Sequence, residues 1–275
     1  MVIVKLQGGL GNQMFQYATA KAIADNRLYL DNDFLNEHRF SNDQFTGRKF
    51  ELSIFKNITF KMPNQISKYF TKMGIRYFSK YIYQSENNEF IDFKAIKEAN
   101  LYLDGYFQNE NYFSSIRTRL LAEFKFPTMS AINDVIAKEI YQDPHAVSVH
   151  VRRGDYLKPA IQAFHGILAL EYYYQAKNEI EKAINSPNYY IFSDDIDWCR
   201  ENLRFPGAKF VSNLSSAGWE DMYLMSCCKH NIVANSSYSW WGAWLNTNET
   251  KIVVAPKKWF VQTETDIVPN QWIKV

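Results

Sequence analysis

Hydrophobic and polar residues run along this chain in short blocks, more regularly in the second half than in the first. Val2-Ile3-Val4-Lys5-Leu6 is apolar and β-branched, which predicts a buried strand. Gln7-Gly8-Gly9-Leu10-Gly11-Asn12 follows as a glycine-rich turn. Residues 13–25 then predict a helix with Phe15, Ala18 and Ala22 on one face. Leu28-Tyr29-Leu30-Asp31 reads as the next strand and completes a βαβ opening. Residues 33–49 are polar and aromatic, an excursion from the first sheet and a candidate lid. Phe70, Met73, Tyr77 and Tyr81 fall near helical spacing, so 67–83 is expected to be a core-facing helix. Residues 101–108 return to a strand and a turn. Residues 109–125 predict a helix that Pro127 ends, and 128–144 holds another that bridges to a second domain.

In the second half, strands are expected at 146–151, 189–192, 209–211, 232–234 and 251–255. Helices are expected at 171–184, 195–202, 219–229 and 239–245. Such alternation implies parallel strands covered on both faces. The expected fold class is therefore α/β, with two Rossmann-like lobes, 1–143 and 144–275, facing a central cleft.

Composition narrows the function. The 275 residues are 47% hydrophobic and 22% charged, enough for a well-packed core and too apolar for disorder. A net charge of +2 lacks the basic bias of a nucleic-acid or membrane-surface protein. The aromatic share of 16% suits a rigid core or a surface that stacks sugars and bases, and does not choose between them. Cys199, Cys227 and Cys228 form no metal-type spacing and read as reduced thiols. Neither a signal peptide nor a run near 20 apolar residues is present, so the chain is expected in the cytoplasm. Peripheral membrane contact remains open but is not encoded.

The chemistry collects at strand ends. His150-Val151-Arg152-Arg153-Gly154-Asp155-Tyr156 follows the strand at 146–151 and delivers two guanidiniums, an imidazole and a carboxylate to one sheet edge, where open α/β sheets bind ligands. Paired arginines suit phosphate, since the guanidinium fork donates two parallel hydrogen bonds and stays charged. The plain alternative is an Arg–Asp pair that holds a surface turn. Ser193-Asp194-Asp195 admits three readings: a helix cap, a carboxylate that accepts from the amide and amine edge of guanine, or an Asp-x-Asp metal site. Asn235-Ser236-Ser237-Tyr238-Ser239 opens a helix after a strand, a ready phosphate site whose plain alternative is capping. Trp240, Trp241 and Trp244 are expected in the core. In the first half, Asn12 and Gln13 place amide donors at a helix start. A rival pattern is also there. Gly9-Leu10-Gly11 begins a dinucleotide fingerprint with Asp31 at the ribose-acid spacing, but Met14 stands where the third glycine belongs.

A phosphate cradle, an arginine clamp and acids for a base describe a nucleoside-diphosphate site, and no Walker-type sequence indicates γ-phosphate chemistry. The chain resembles the soluble bacterial α-1,2-fucosyltransferases of glycosyltransferase family 11. The resemblance rests on Gly8-Gly9-Leu10-Gly11-Asn12-Gln13-Met14-Phe15-Gln16-Tyr17-Ala18, Gly105-Tyr106-Phe107-Gln108 with Tyr112-Phe113, and the 150–156 segment. It rests also on Phe192-Ser193-Asp194-Asp195 and the run from Asn235 to Leu245. These stretches occur in the family's order and span most of the chain, except 34–100.

The resemblance implies a GT-B fold and an inverting reaction that needs neither metal nor cofactor. L-fucose would pass from GDP-β-L-fucose to a glycan hydroxyl, galactose O2 foremost. It implies that Arg152, with Arg153, holds the β-phosphate, and that His150 with Asp194 or Asp195, beside Ser193, holds guanine. Asn235, Ser236, Ser237, Tyr238 and Ser239 would hold phosphate. Gly9, Gly11, Asn12 and Gln13 would close over the donor, with Tyr106, Gln108 and Glu110 on the acceptor side. Asp155 is the first candidate base, although two arginines beside it would make it a poor one. Its other role is to orient an arginine. Glu110, His165 and Glu171 are further candidates. Two other classes stay in view: an NAD-dependent oxidoreductase built on Gly9–Asp31, and a catalytically inactive nucleotide- or glycan-binding protein.

Overall fold

The computed structural model describes residues 1–24, 27–42, 46–73, 79–84, 89–212 and 217–275. The chain divides into two compact units, one of residues 1–127 with 265–267 and one of residues 128–264 with 268–275.

The first unit is built on four parallel strands, β1 (Val2–Lys5), β2 (Leu28–Asp31), β3 (Ser79–Tyr83) and β4 (Asn100–Asp104), in the order β2-β1-β4-β3. Alternation puts Val2, Val4, Leu28, Leu30, Leu101 and Leu103 on one buried face. Helix α1 (Leu10–Ile23) connects β1 to β2 and is buried over most of its surface, with Met14, Phe15, Tyr17 and Ala18 in the core. Its buried Lys21 is compensated: Nζ donates to Thr59 Oγ1 (2.7 Å) and lies 3.3 Å from Glu123, which also accepts from the Tyr17 hydroxyl (2.8 Å). The opposite face of the sheet is polar. Asp31 accepts from the Tyr102 hydroxyl (2.7 Å) and Lys68 Nζ (3.1 Å), and Asp104 pairs with Lys5 (3.0 Å) and the Tyr81 hydroxyl (2.6 Å).

Three expectations for this unit need correction. The single helix at 67–83 is a short helix, α3 (Gln65–Lys72), and then strand β3. Tyr81, Ile82 and Tyr83 alternate out, in and out, so pairing with β4 overrode the helical spacing; Tyr77 lies outside the described residues. Helix α3 turns Lys68 inward and leaves Ile66 and Tyr69 exposed, the reverse of a core-facing apolar stripe. The helix at 109–125 shrinks to α4 (Arg117–Glu123), preceded by two 3₁₀ turns, because the Asn109 side chain accepts from Asn111 N–H and starts a turn instead. Between β2 and α3 the excursion contains helix α2 (Asp33–Glu37), and its far end docks on α1 through Gln13.

The second unit is a six-stranded parallel sheet. Its strands are β5 (Ala146–Val151), β6 (Asn188–Ser193), β7 (Lys209–Phe210), β8 (His230–Ile232), β9 (Val253–Ala255) and β10 (Ile273–Lys274), in the order β10-β9-β8-β5-β6-β7. Strand β5 is buried throughout, its Ser148 and His150 included, as a central strand covered on both faces is. Helices α7 (Leu170–Glu181), α8 (Ile196–Asn202), α9 (Gly218–Cys227) and α10 (Ser237–Leu245) match the predicted helices to within a few residues. Trp240 and Trp241 are fully buried, their ring centroids 5.1 Å apart. Helix α6 (Pro159–His165) and strand β10, both short, are additions to the predicted elements.

Helix α5 (Ala131–Gln142) was expected in the first lobe but belongs to the second unit. Ser130 N–H donates to Glu220 (3.0 Å), and Tyr190 donates to Glu139 (3.2 Å) and Asp143 (3.0 Å). These links draw the boundary back from 143 to 127. Among the described residues no helix is long and apolar enough to cross a membrane.

Candidate functional site

In each unit the chain leaves β1 or β5 toward one side of the sheet and later returns to the other. The order of strands reverses between β1 and β4, and again between β5 and β8. Ligands of open α/β sheets bind at such reversals, outside the carboxyl ends of the strands. Both reversals carry predicted motifs. Residues 8–12 follow β1 and 105–108 follow β4. Residues 152–156 follow β5 and 235–239 follow β8.

In the second unit Arg152 is gripped by two acids, Asp155 and Asp194, the latter at 2.7 Å. Burial works against the Arg152 charge, but Asp194 and Asp155 outweigh it and hold its pKa above the ordinary value. Arg153 pairs with Asp195 (3.1 Å) and lies over the Trp198 ring (3.8 Å), while its backbone N–H donates to Asp194 (2.9 Å). A side chain at Gly154 would collide with the Asp194 carboxylate, so glycine lets the loop close on that acid. The Ser193 hydroxyl accepts from Asp195 N–H (2.9 Å), and Asp195 caps α8 by accepting from Trp198 N–H (3.4 Å). Asp195 thus both caps α8 and pairs with Arg153.

His150 is buried at the end of β5, its ring 5.7 Å from that of Tyr238. Burial first, and Arg152 second, push its pKa down to about 3, so it is neutral, and its Nδ1 has no partner. His165 stacks on Tyr156 (4.6 Å) and is pushed down by burial to about 4. A group that weakly basic draws little on a hydroxyl proton. Asp155 sits on Arg152, the arrangement of an orienting carboxylate. Glu171 is exposed on α7.

The helix-start motif is partly spent on architecture. Asn235 Nδ2 donates to the His165 carbonyl (2.7 Å), and Ala234 N–H donates to Ser239 Oγ (3.2 Å). The Tyr238 hydroxyl docks on α9, donating to the Gly218 carbonyl and accepting from Met222 N–H (2.9 Å). Ser236 caps α10 by accepting from Tyr238 N–H (3.3 Å). Expected as phosphate ligands, Asn235, Ser239 and the Tyr238 hydroxyl instead brace the turn, because a sharp strand-to-helix turn leaves many polar groups to satisfy. Ser237, the first residue of α10, follows β8, the neighbour of β5 in the sheet, and is left as the motif's candidate phosphate ligand.

In the first unit Gln108 Nε2 donates to Asn12 Oδ1 (2.8 Å), so the two motifs meet across the reversal. Gly8 adopts φ +75° to turn the chain from β1 into α1. Phe107 is buried with φ +52°, a strained backbone for a bulky residue that marks this turn as structurally demanded. Tyr106 is exposed, and Glu110 is half-buried. Gln13 is not available to a donor. It is fully buried, and both its N–H groups donate to carbonyls, Gly8 at 2.9 Å and Lys49 at 2.8 Å. The start of α1, beside Gly9 and Gly11, already meets a carboxylate, since Glu51 accepts from Leu10 N–H; burial raises its pKa. Glu51 and its neighbour Arg48 flank Gly9 and lie in the 34–100 stretch that carries none of the family-like motifs. Asp31, the ribose acid of the dinucleotide reading, is committed to Lys68 and Tyr102, and Met14 fills the core.

A further acid was missed altogether. Asp221, in the first turn of α9, accepts from the Ser212 hydroxyl, and Ser212 accepts from Ser193 N–H at the end of β6 (3.0 Å). Burial raises its carboxyl to about 6. An isolated Glu220-Asp221 pair in a helix reads from sequence as a solvated first turn.

Two parallel α/β units, each with polar motifs at its strand-order reversal, have the GT-B fold. The chain belongs to glycosyl transferase family 11, whose model matches residues 1–275. It is 34% identical to the O-antigen biosynthesis glycosyltransferase WbnK of Escherichia coli, covering 98% of this chain and 99% of that one. It is 31% identical to an alpha-1,2-colitosyltransferase of the same organism, over 100% and 99%. It is 24% identical to the Homo sapiens galactoside alpha-(1,2)-fucosyltransferase 1, over 88% and 65%. Among solved structures, fucosyltransferase NodZ from Bradyrhizobium shares the fold with a TM-score of 0.52 at 15% identity, covering 88% of this chain and 92% of that one.

Proposed function

We propose that the second unit binds GDP-β-L-fucose and that the enzyme transfers L-fucose, with inversion, to a hydroxyl of a glycan acceptor, galactose O2 foremost. The observation that carries this reading is the arginine clamp. Arg152 and Arg153 are fixed by three carboxylates at the β5–β8 reversal, beside the start of α10. As the acceptor hydroxyl oxygen attacks the anomeric carbon and gives up its proton to solvent, the bond from that carbon to the phosphate oxygen breaks and its electron pair leaves with GDP. Arg152 and the α10 start at Ser237 stabilise that growing charge most in the transition state, where binding accelerates chemistry. The first unit takes the acceptor, with Tyr106, Gln108 and Glu110 as its nearest motif residues. No metal is needed, because the strand-end acids that would hold one already neutralise arginines. Colitose is the second donor reading, supported by the relative that transfers it.

Isothermal titration with GDP, GDP-fucose, UDP and NADH, with and without EDTA, tests the donor. Binding of GDP and GDP-fucose alone, indifferent to EDTA, supports the reading; binding of NADH, or none of GDP, overturns it. Transfer assays with GDP-fucose and GDP-colitose on galactosides then decide the sugar.

A further inference from the structure

The basic charge of this chain is concentrated in one stretch of the first unit. From 52 to 85 there are six lysines and arginines and no aspartate or glutamate, in a protein whose net charge is +2. The rest of the chain is therefore net acidic, and the modest overall charge averages over a strongly basic segment. The same segment exposes large apolar side chains: Met62, Ile66, Tyr69, Met73 and Tyr83 are 48–65% exposed. Ile66, Tyr69 and Met73 follow i, i+3, i+7 spacing on α3 and the turn after it. Met73 N–H still donates to the Tyr69 carbonyl (2.9 Å), so helical geometry reaches it and the three form one outward stripe. Lys68 lies off that stripe and is buried, its Nζ bonded to Asp31 (3.1 Å) and to Asp33. Asp31 also accepts from Tyr102, and Tyr102 stacks on Tyr81 of the edge strand β3. Tyr83, two residues on, therefore leaves β3 on the face that α3 covers. Exposed Lys61 precedes α3, and Lys72 is its last residue.

We infer that this face of the first unit binds the surface of an anionic lipid bilayer. A helix that meets only water turns its lysines out and its isoleucines and tyrosines in. Helix α3 does the reverse, and the Lys68 anchor to two carboxylates holds its apolar stripe outward without any rearrangement. A bilayer interface supplies what the stripe lacks. Ile66 and Met73 enter the headgroup boundary, and Tyr69 and Tyr83 suit it with an apolar ring and a polar hydroxyl. The surrounding lysines are drawn to anionic headgroups, and no acid within the segment opposes them. A second copy of the chain is the poorer occupant, because it would set one basic segment against another. The inference concerns the first unit alone and stands apart from the donor reading.

The test is flotation of the full chain with vesicles of phosphatidylcholine alone and of phosphatidylcholine mixed equally with phosphatidylglycerol, at low and high salt. The wild type is expected to float with the mixed vesicles at low salt, and about tenfold less with neutral vesicles or at high salt. The double variant Ile66→Ser with Tyr69→Ser should bind the mixed vesicles about tenfold more weakly. Both positions are exposed, and thermal unfolding confirms that the variant folds. Ile132→Ser with Val135→Ser, an exposed apolar pair on α5 of the second unit, should float as the wild type does. A wild type that stays behind, or that floats equally with neutral vesicles, overturns the inference. So does unchanged flotation of the folded α3 variant, or an equal loss in the α5 variant. Gel filtration reads the remaining occupant: a wild-type dimer that the α3 variant breaks, with no vesicle binding, gives the face to a second copy and overturns the inference.

Discussion

Arg152 is held between Asp155 and Asp194, so its fork is oriented by the chain's own carboxylates. Such preorganisation lets a charged group act without rearranging during reaction. Arg152→Ala should lower the rate of transfer about 10²–10³-fold in a protein that still folds, read from initial rates at saturating donor alongside circular dichroism. Near-wild-type turnover would remove Arg152 from the mechanism. Gly154→Ala probes the same clamp indirectly. The added methyl must displace the Asp194 carboxylate and loosen its bridge to Arg152. GDP affinity should fall about tenfold, the scale of one charge-assisted hydrogen bond, as measured by titration calorimetry. At this scale the sequence showed which residues bear chemistry but not their partners. Asp194, Asp195 and Asp155 were each legible as acids. That Asp194 and Asp195 neutralise arginines follows from the pairing of β5 with β6, which sets His150 beside Phe192 although they lie 42 positions apart in the chain, whereas Asp155 comes from the same loop as Arg152.

Helices and strands with an unbroken or alternating pattern were legible, and those whose pattern served two purposes were not. Strand β5 and helix α10 match because burial on every side leaves them rich in apolar residues, Val147, Val149 and Val151 in one and Trp240 to Leu245 in the other. Strand β3 was hidden, since Tyr81, on a strand at the sheet edge, continues the helical spacing of Phe70, Met73 and Tyr77. Helix α1 was legible as a helix, but its polar interior was not. Tyr17 and Lys21 converge on Glu123, which is only 8% exposed and more than a hundred residues away along the chain. Glu123→Ala leaves a buried ammonium and a buried hydroxyl without their shared acceptor. It should destabilise the fold by about 3–5 kcal/mol, the range for breaking a buried ion pair, measured by urea unfolding. A loss below 1 kcal/mol would show that Thr59 alone satisfies Lys21.

For the molecule as a whole, acid should be the weak direction. His150 and His165 have pKa values near 3 and 4 in the folded chain, while unfolded histidine titrates near 6.5. Between pH 6.5 and 4 the unfolded state therefore binds more protons, and stability falls as pH falls. Tm should drop steadily through that window, and His165→Phe, which keeps the stack on Tyr156, should make the drop shallower. Thermal unfolding at a series of pH values reads both, and a level wild-type Tm from pH 6.5 to 4 would contradict the burial of these rings.

The order of apolar runs and strand-end motifs was enough to establish two parallel α/β units and the family, because periodicity and strand-to-helix turns are local properties of the chain. The tertiary structure decided where the units divide, which acids are spent on arginines, that Gln13 and Asn235 are braces and that Asp221 hangs from Ser212. Each of those depends on groups brought together from distant segments, and whether a polar side chain is satisfied or still short of a partner is a property of its neighbours in space.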